Sequence, residues 1–352
     1  MSITFLQKMK IFRSFSILLS VLLLTACGGG GGGGGSGSQL AGNGPVTVAP
    51  DTARIGRGPN ILFVSDRNNQ VIAAFDTLAP AAANTAVSAN VLSAERYYGY
   101  STQLDAARDL LYIMAGDQAG AQIGVLADAS KLSGKMTPQR YITPEIGASY
   151  VVQSLILDKT NDRMYVGYKE TNRGATGFMV LERVSTLSGR VAPARTFTGP
   201  MDTMQSAIDT KRGLLYTKHS HASGQPVYVF ENIDKASGEL PIARRFNLPG
   251  DIVGLAIDED RDRLYAGSNM RGLAVFADVS KPDPASRVKL ITLPRWTIDG
   301  VLAFDRAHDR LYAGMGSTAY VVERASKLGE DGQAAPLSIN AGSLAVISGF
   351  AF

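Results

Sequence analysis

Three aspartates in this chain are spaced as though meant to converge. Asp202, Asp251 and Asp299 follow one another at intervals of 49 and 48 residues, and each precedes a second recurring aspartate (Asp209, Asp258, Asp305) by six or seven. Carboxylates brought to one point by successive units of a repeat could bind Ca²⁺ or a cationic ligand, because hard cations take oxygen donors. The same side chains could instead accept hydrogen bonds from backbone amides at the start of a strand. Glu95 and Glu145 occupy comparable places earlier in the chain. Tyr97, Tyr98, Tyr100, Tyr150 and Trp296 flank these segments. Such aromatics can stack on a sugar, anchor a partner protein or simply pack. His219 and His221 alternate as strand neighbours would, but a metal needs more ligands than that pair, and His308 stands apart. Beyond residue 27 there is no GxSxG, HExxH, CxxC or glycine-rich phosphate loop, so no catalytic residue and no cofactor is assigned beyond a candidate Ca²⁺.

The elements that must position these residues are written as a repeat. Asp105, Asp158, Asp209, Asp258 and Asp305 step by 53, 51, 49 and 47 residues, and Tyr112, Tyr165, Tyr216, Tyr265 and Tyr312 keep the same steps seven residues later. A sixth copy, Ile61-Leu62-Phe63-Val64, matches the Tyr segment without its Asp. Four of the five units carry a second acidic residue four positions after the first, at Asp109, Asp162, Asp262 and Asp309. A feature present in nearly every unit reads as a turn device rather than a site. Arg163, Arg263 and Arg310 are placed to pair with its carboxylates.

Each unit of about 50 residues holds four short β-branched or aromatic runs and no sustained 3.6-residue period. That grammar predicts an all-β fold, a six-bladed β-propeller of four-stranded antiparallel blades labelled a to d from the inside out. The first unit lacks a strand a. Ser343-Leu344-Ala345-Val346-Ile347 resembles the strand-a segment Gly254–Ile257, so this C-terminal strand is expected to complete blade 1. Loops d–a and b–c would share one face and the repeated turns the other. The repeats resemble the NHL, YVTN and lactonase-like propeller superfamily over about residues 58–352. The resemblance implies the fold, while its six-bladed lactonase and esterase-like members imply a Ca²⁺ held at the channel mouth, for which Asp202, Asp251 and Asp299 match by position only.

The N-terminus speaks of address. Lys8, Lys10 and Arg13 precede the apolar run Phe15–Leu24, which is too short to span a bilayer and fits a signal peptide over residues 1–26. Leu24-Thr25-Ala26-Cys27 resembles the lipobox of bacterial lipoproteins. That resemblance implies cleavage before Cys27, a diacylglycerol thioether on its sulfur and an N-acyl chain such as palmitate, which together anchor a protein durably. An ordinary secretory signal with an incidental cysteine is the alternative. Gly28, rather than Asp, after the cysteine implies the outer membrane. Residues 27–57 read as a flexible tether that begins with the run Gly28–Gly35, and residues 58–352 as the propeller. Without the three N-terminal charges, 32 basic side chains face 31 acidic ones, so nothing argues for nucleic acid. The expectation is a monomeric, membrane-anchored envelope protein whose loop face meets a protein or glycan, with a Ca²⁺-dependent hydrolase as the alternative.

Overall fold

A computed structural model describes residues 61–352 apart from 77–89, 95–96, 117–121, 146–148, 172–173, 219–225, 249, 269–271, 284–287, 292–299, 330–336, 341–343 and 345. Cys27 and the tether lie outside these residues. Six sheets follow one another along the chain, antiparallel through strands a to d. Blade 2 is Tyr97–Asp105, Leu110–Ala115, Gln122–Ala127 and Arg140–Pro144. The others repeat that order, each with its strand a ending on the repeated Asp at 158, 209, 258 or 305. The chain folds as a six-bladed β-propeller.

Blade 1 is closed by the C-terminal strand, as expected, but not by the residues expected. The pairing strand is Ile347–Ala351, set against Ile61–Asp66 with Phe63 opposite Ala351 and Val64 opposite Phe350. Val346 stands just before it. The shift follows from an Asp turn that the repeat pattern hides. Asp66 ends strand b of blade 1, and its carboxylate accepts the backbone N–H of Asn68 (2.9 Å), Asn69 (3.1 Å) and, across the chain, Val346 (3.3 Å). The Arg67 N–H in turn donates to the Val346 carbonyl at 2.9 Å. Val346 is therefore held by the turn, and ladder pairing begins after it.

The repeated aspartates build the opposite face. Asp105 accepts the Arg108 N–H at 3.2 Å and its guanidinium at 2.7 Å. Asp109, four residues on, sits at φ 54°, a left-handed conformation that Asp tolerates better than most residues. Its carboxylate accepts both the N–H and the Oγ–H of Ser130 at 2.7 Å. The same set recurs as Asp162 with Ser185, Asp262 with Ser280 and Asp309 with Ser326. In blade 4 both positions carry other residues. Gly213 stands at the turn, and Asp234 takes the serine's position with its carboxylate against Gly213. The arginines that pair with the first aspartate are Arg108, Arg212 and Arg261, not those expected. Arg163 and Arg310 reach Glu182 and Glu323 on the neighbouring strand instead, because each stands directly opposite that glutamate in the ladder of strands b and c.

The core is divided into six apolar layers, one between each pair of adjacent blades. Each layer takes one large ring from the repeat: Phe63, Tyr112, Tyr165, Tyr216, Tyr265 or Tyr312, none more than 1% exposed. Burying a ring of that size stabilises by roughly 1.5–3 kcal/mol, so these positions hold the ring of blades together. The c–d connections do more than turn. After a short 3-10 segment Lys135–Met136 pairs in parallel with blade 1 and Gly189–Val191 with blade 2, and after a turn at 233–235 Gly238–Glu239 does the same with blade 3. Those three blades become five-stranded, each latched by its successor. Arg140 and Arg244 add to the latch by donating to carbonyls of the next blade's connection, Ser185 and Lys281 among them.

Candidate functional site

The innermost strands surround a cavity of about 330 Å³. Strand a runs from the d–a face down to the Asp turn, and the lining stops above those turns. The cavity therefore opens toward the face carrying loops d–a and b–c. Met204, 44% exposed, and Arg67 stand at this mouth. Below the cavity, the Lys159 ammonium donates to the Phe352 backbone oxygen at 2.7 Å and lies 5.7 Å from the centre of its ring. It reaches past blade 2 to do so, and also feels the carboxylates of Asp105 and Asp305. Phe352 itself stacks on Tyr312 at 5.4 Å.

The wall is asymmetric. Blades 2 to 4 contribute Ser101, Gln103, Gln153, Ser154, Thr203, Gln205 and Ser206. Blades 5, 6 and 1 contribute chiefly Leu255, Val301, Leu302, Ala303, Ile347 and Phe350. The hydroxyls of the polar side join blade to blade. Ser65 and Thr102 share a hydrogen bond of 2.8 Å, the Leu155 N–H donates to Ser101 at 3.3 Å, and Ser154 donates to the Thr203 carbonyl at 2.6 Å. Behind Ser154 the backbone must come close. A Cβ on Gly167 would lie 2.3 Å from Ser154 Oγ, so only glycine leaves that hydroxyl its place. The cavity wall is thus a fixed array of neutral polar groups, suited to orienting a ligand rather than to proton transfer.

Of the residues singled out by sequence, Asp202 is at the mouth and already engaged. Its carboxylate accepts the Met204 N–H at 3.0 Å and lies 3.5 Å from the Lys218 ammonium. Its backbone N–H and carbonyl both bond Thr217 Oγ1, so it pins loop d–a onto strand b. Asp251 is exposed on the next loop. Asp299, Trp296, Glu95, His219, His221 and the side chains of Tyr98 and Tyr100 lie outside the described residues. Tyr150 packs edge-on against Tyr168, with ring centres 6.2 Å apart, and donates its hydroxyl to the Pro144 carbonyl. Burial raises its pKa above the ordinary range. Tyr97 is buried, and its pKa is raised for the same reason. Glu145 pairs with Arg190, and His308 caps its own turn on Asp305 at 2.7 Å. Among the described residues no three His, Cys, Asp or Glu side chains cluster as a metal site, and no helix is long and apolar enough to cross a membrane. The glutamines of the wall were not anticipated. Their signal was a polar residue facing the axis in an otherwise apolar strand a, as in Ser101-Thr102-Gln103.

No family model matches the chain, and no curated protein matches it. Among solved structures, a chain of a nidogen–laminin complex matches with 14% identity and a TM-score of 0.52, over 83% of this chain and 97% of that one. A luciferin-regenerating enzyme matches with 13% identity and a TM-score of 0.40, over 70% of this chain and 76% of that one. At such identity the first likeness extends to the propeller fold alone.

Proposed function

We propose that this is a lipid-anchored binding protein of the bacterial cell envelope. In this reading it is tethered through Cys27 to the outer membrane, related to the NHL and YVTN-like propellers, and engages a protein or glycan through its d–a and b–c face. The observation that carries the proposal is the contrast between the two faces. On the turn face, the carboxylates of Asp105, Asp158, Asp209, Asp258 and Asp305 are all buried and bonded within their own turns. Those of Asp109, Asp162, Asp262 and Asp309 are held by serines. That face is scaffold. The other face carries the cavity mouth, the exposed Met204, and loops that differ from blade to blade, which is where a rigid scaffold places recognition. A Ca²⁺-dependent hydrolase would need Asp202 released from Lys218 and from the Met204 amide.

The test is site-specific photo-crosslinking in intact envelopes. A crosslinker at Met204 is expected to capture a partner, and one at Lys281 on the turn face is not. Equal capture from both, or none from Met204, refutes the choice of face. Cys27→Ala is expected to abolish palmitate labelling and release the protein from the membrane fraction. Labelling that persists in that variant refutes the anchor.

A further inference from the structure

The cavity has two unlike walls, and together they describe a ligand. On the polar side three glutamine amides face the space. Gln103 Oε1 accepts the Leu157 N–H at 3.3 Å. A backbone N–H can only donate, so this bond fixes the amide's orientation and leaves its NH₂ toward the cavity. Gln153 Oε1 accepts the Thr203 hydroxyl at 2.7 Å, which leaves the rest of that amide for a ligand. The side chain of Gln205 has no hydrogen-bond partner among the described residues, so both its donor and its acceptor are available. Facing them, Leu255, Val301 and Ala303 offer a smooth apolar surface. The serine and threonine hydroxyls between the amides already bond neighbouring blades, so the wall is preorganised.

We infer that the cavity binds a small uncharged saccharide, with its hydroxyls on the three amides and its C–H face on the apolar wall. This rests on the reading of the protein as a binding protein and names its ligand class. A volume of about 330 Å³ suits one or two sugar rings, at the small end of ligand sites. Vicinal hydroxyls each donate and accept, so one can accept from the amides of Gln103 and Gln153 while another meets both ends of the Gln205 amide. Among the described residues Arg67 is the one charged side chain lining the cavity, and it already has a partner within the protein. An anion would therefore find no open cation among the described residues of the wall, and a purely apolar ligand would leave the NH₂ groups of Gln103 and Gln153 and the whole Gln205 amide without partners.

The test is calorimetric titration of the full chain in a sugar-free detergent, lauryldimethylamine oxide, with glucose, galactose, N-acetylglucosamine, maltose, cellobiose and glucuronate. At least one uncharged sugar is expected to bind saturably at millimolar concentration or below. Gln205→Leu, which breaks no side-chain hydrogen bond among the described residues, is expected to weaken it about tenfold, and Gln153→Leu similarly. Failure of every uncharged sugar to bind overturns the inference, as does tighter binding of glucuronate. Affinity unchanged in both variants overturns the cavity as the site. Capture of an envelope protein at Met204 in any of those cases leaves the binding-protein reading standing without the saccharide.

Discussion

Tyr216 and Tyr265 occupy the same position in successive repeats and are both fully buried, yet removing the same atom from each should act in opposite directions. The Tyr265 hydroxyl donates to the Ala325 carbonyl of the next blade at 3.0 Å. The Tyr216 hydroxyl is buried without a hydrogen-bond partner among the described residues. A made bond of this kind stabilises by about 1 kcal/mol net. In Tyr265→Phe the Ala325 carbonyl keeps its second partner, the Leu328 N–H at 3.1 Å, so the loss stays near that figure. A hydroxyl buried without a partner costs about 1–3 kcal/mol, part of which Tyr216→Phe recovers. Neither change alters the ring or opens a cavity. The two variants should therefore lie about 2 kcal/mol apart, with Tyr216→Phe at or above the parent and Tyr265→Phe below it. Urea denaturation reads this as midpoints shifted in opposite directions at a common slope. If Tyr216→Phe destabilises as much as Tyr265→Phe, the reasoning from hydroxyl pairing is refuted.

The same tyrosines predict an alkaline limit. Burial pushes the hydroxyls of Tyr112 and Tyr312 up to about 12, with the Asp105 and Asp305 carboxylates adding to the effect. The native state then keeps them neutral while the unfolded chain ionises near 10. Their contribution is whole below about pH 10 and is lost above it, by about 1.4 kcal/mol per pH unit for each tyrosine. Urea midpoints taken from about pH 9 to about pH 11 should fall, and Tyr112→Phe should shallow the fall; an unchanged slope in that variant counts against the assignment. Gly189 stands at φ 73° with nothing within 4 Å of where a Cβ would sit, so its conformation and not crowding demands glycine. Gly189→Ala should cost about 1–2 kcal/mol, and an unaltered melting temperature would contradict that. Deleting residues 344–352 removes the whole pairing strand of blade 1, and a monomer that still unfolded cooperatively would disprove closure by that strand.

The fold was legible because its grammar is repeated. Asp, Leu and Tyr recur at nearly constant spacing, and each has a local cause: a turn that an aspartate caps, and a ring that fills one interblade layer. What escaped the pattern involves partners far apart in sequence. The Ser-Gly segment at 188–189 reads as a turn, and nothing local reveals that Arg190 will pair with Thr143 of the preceding blade. Asp66 lies where the repeat has no aspartate, so its grip on Val346 across 280 residues was invisible, and the closing strand was placed about four residues early. The second partner of the capping aspartates was hidden for the same reason. Ser130 follows Asp109 by 21 residues, and only in blade 4, where glycine replaces the aspartate and aspartate replaces the serine, does the sequence show that the two positions depend on each other.

The candidate site was the harder reading, because charge drew attention that geometry does not reward. Asp202 is placed near the mouth as its spacing suggested, yet its position owes more to Thr217 and Lys218 than to any ligand. The neutral glutamines looked unremarkable because a single amide carries little signal. Three of them acquire meaning only when blades 2, 3 and 4 set them around one space opposite an apolar wall. The closing strand belongs to this argument as well. Ile347 and Phe350 line the cavity while their backbone completes blade 1, so one segment both seals the ring and forms part of the binding wall. A ligand that contacts them binds only the closed ring, and by mass action it must stabilise that closure to the extent that it prefers it. Saccharide binding and the resistance of the C-terminal strand to opening should therefore rise together. Hydrogen exchange at Phe350, whose backbone pairs with Val64, reports that coupling directly, and protection unchanged by a saturating sugar would separate the two.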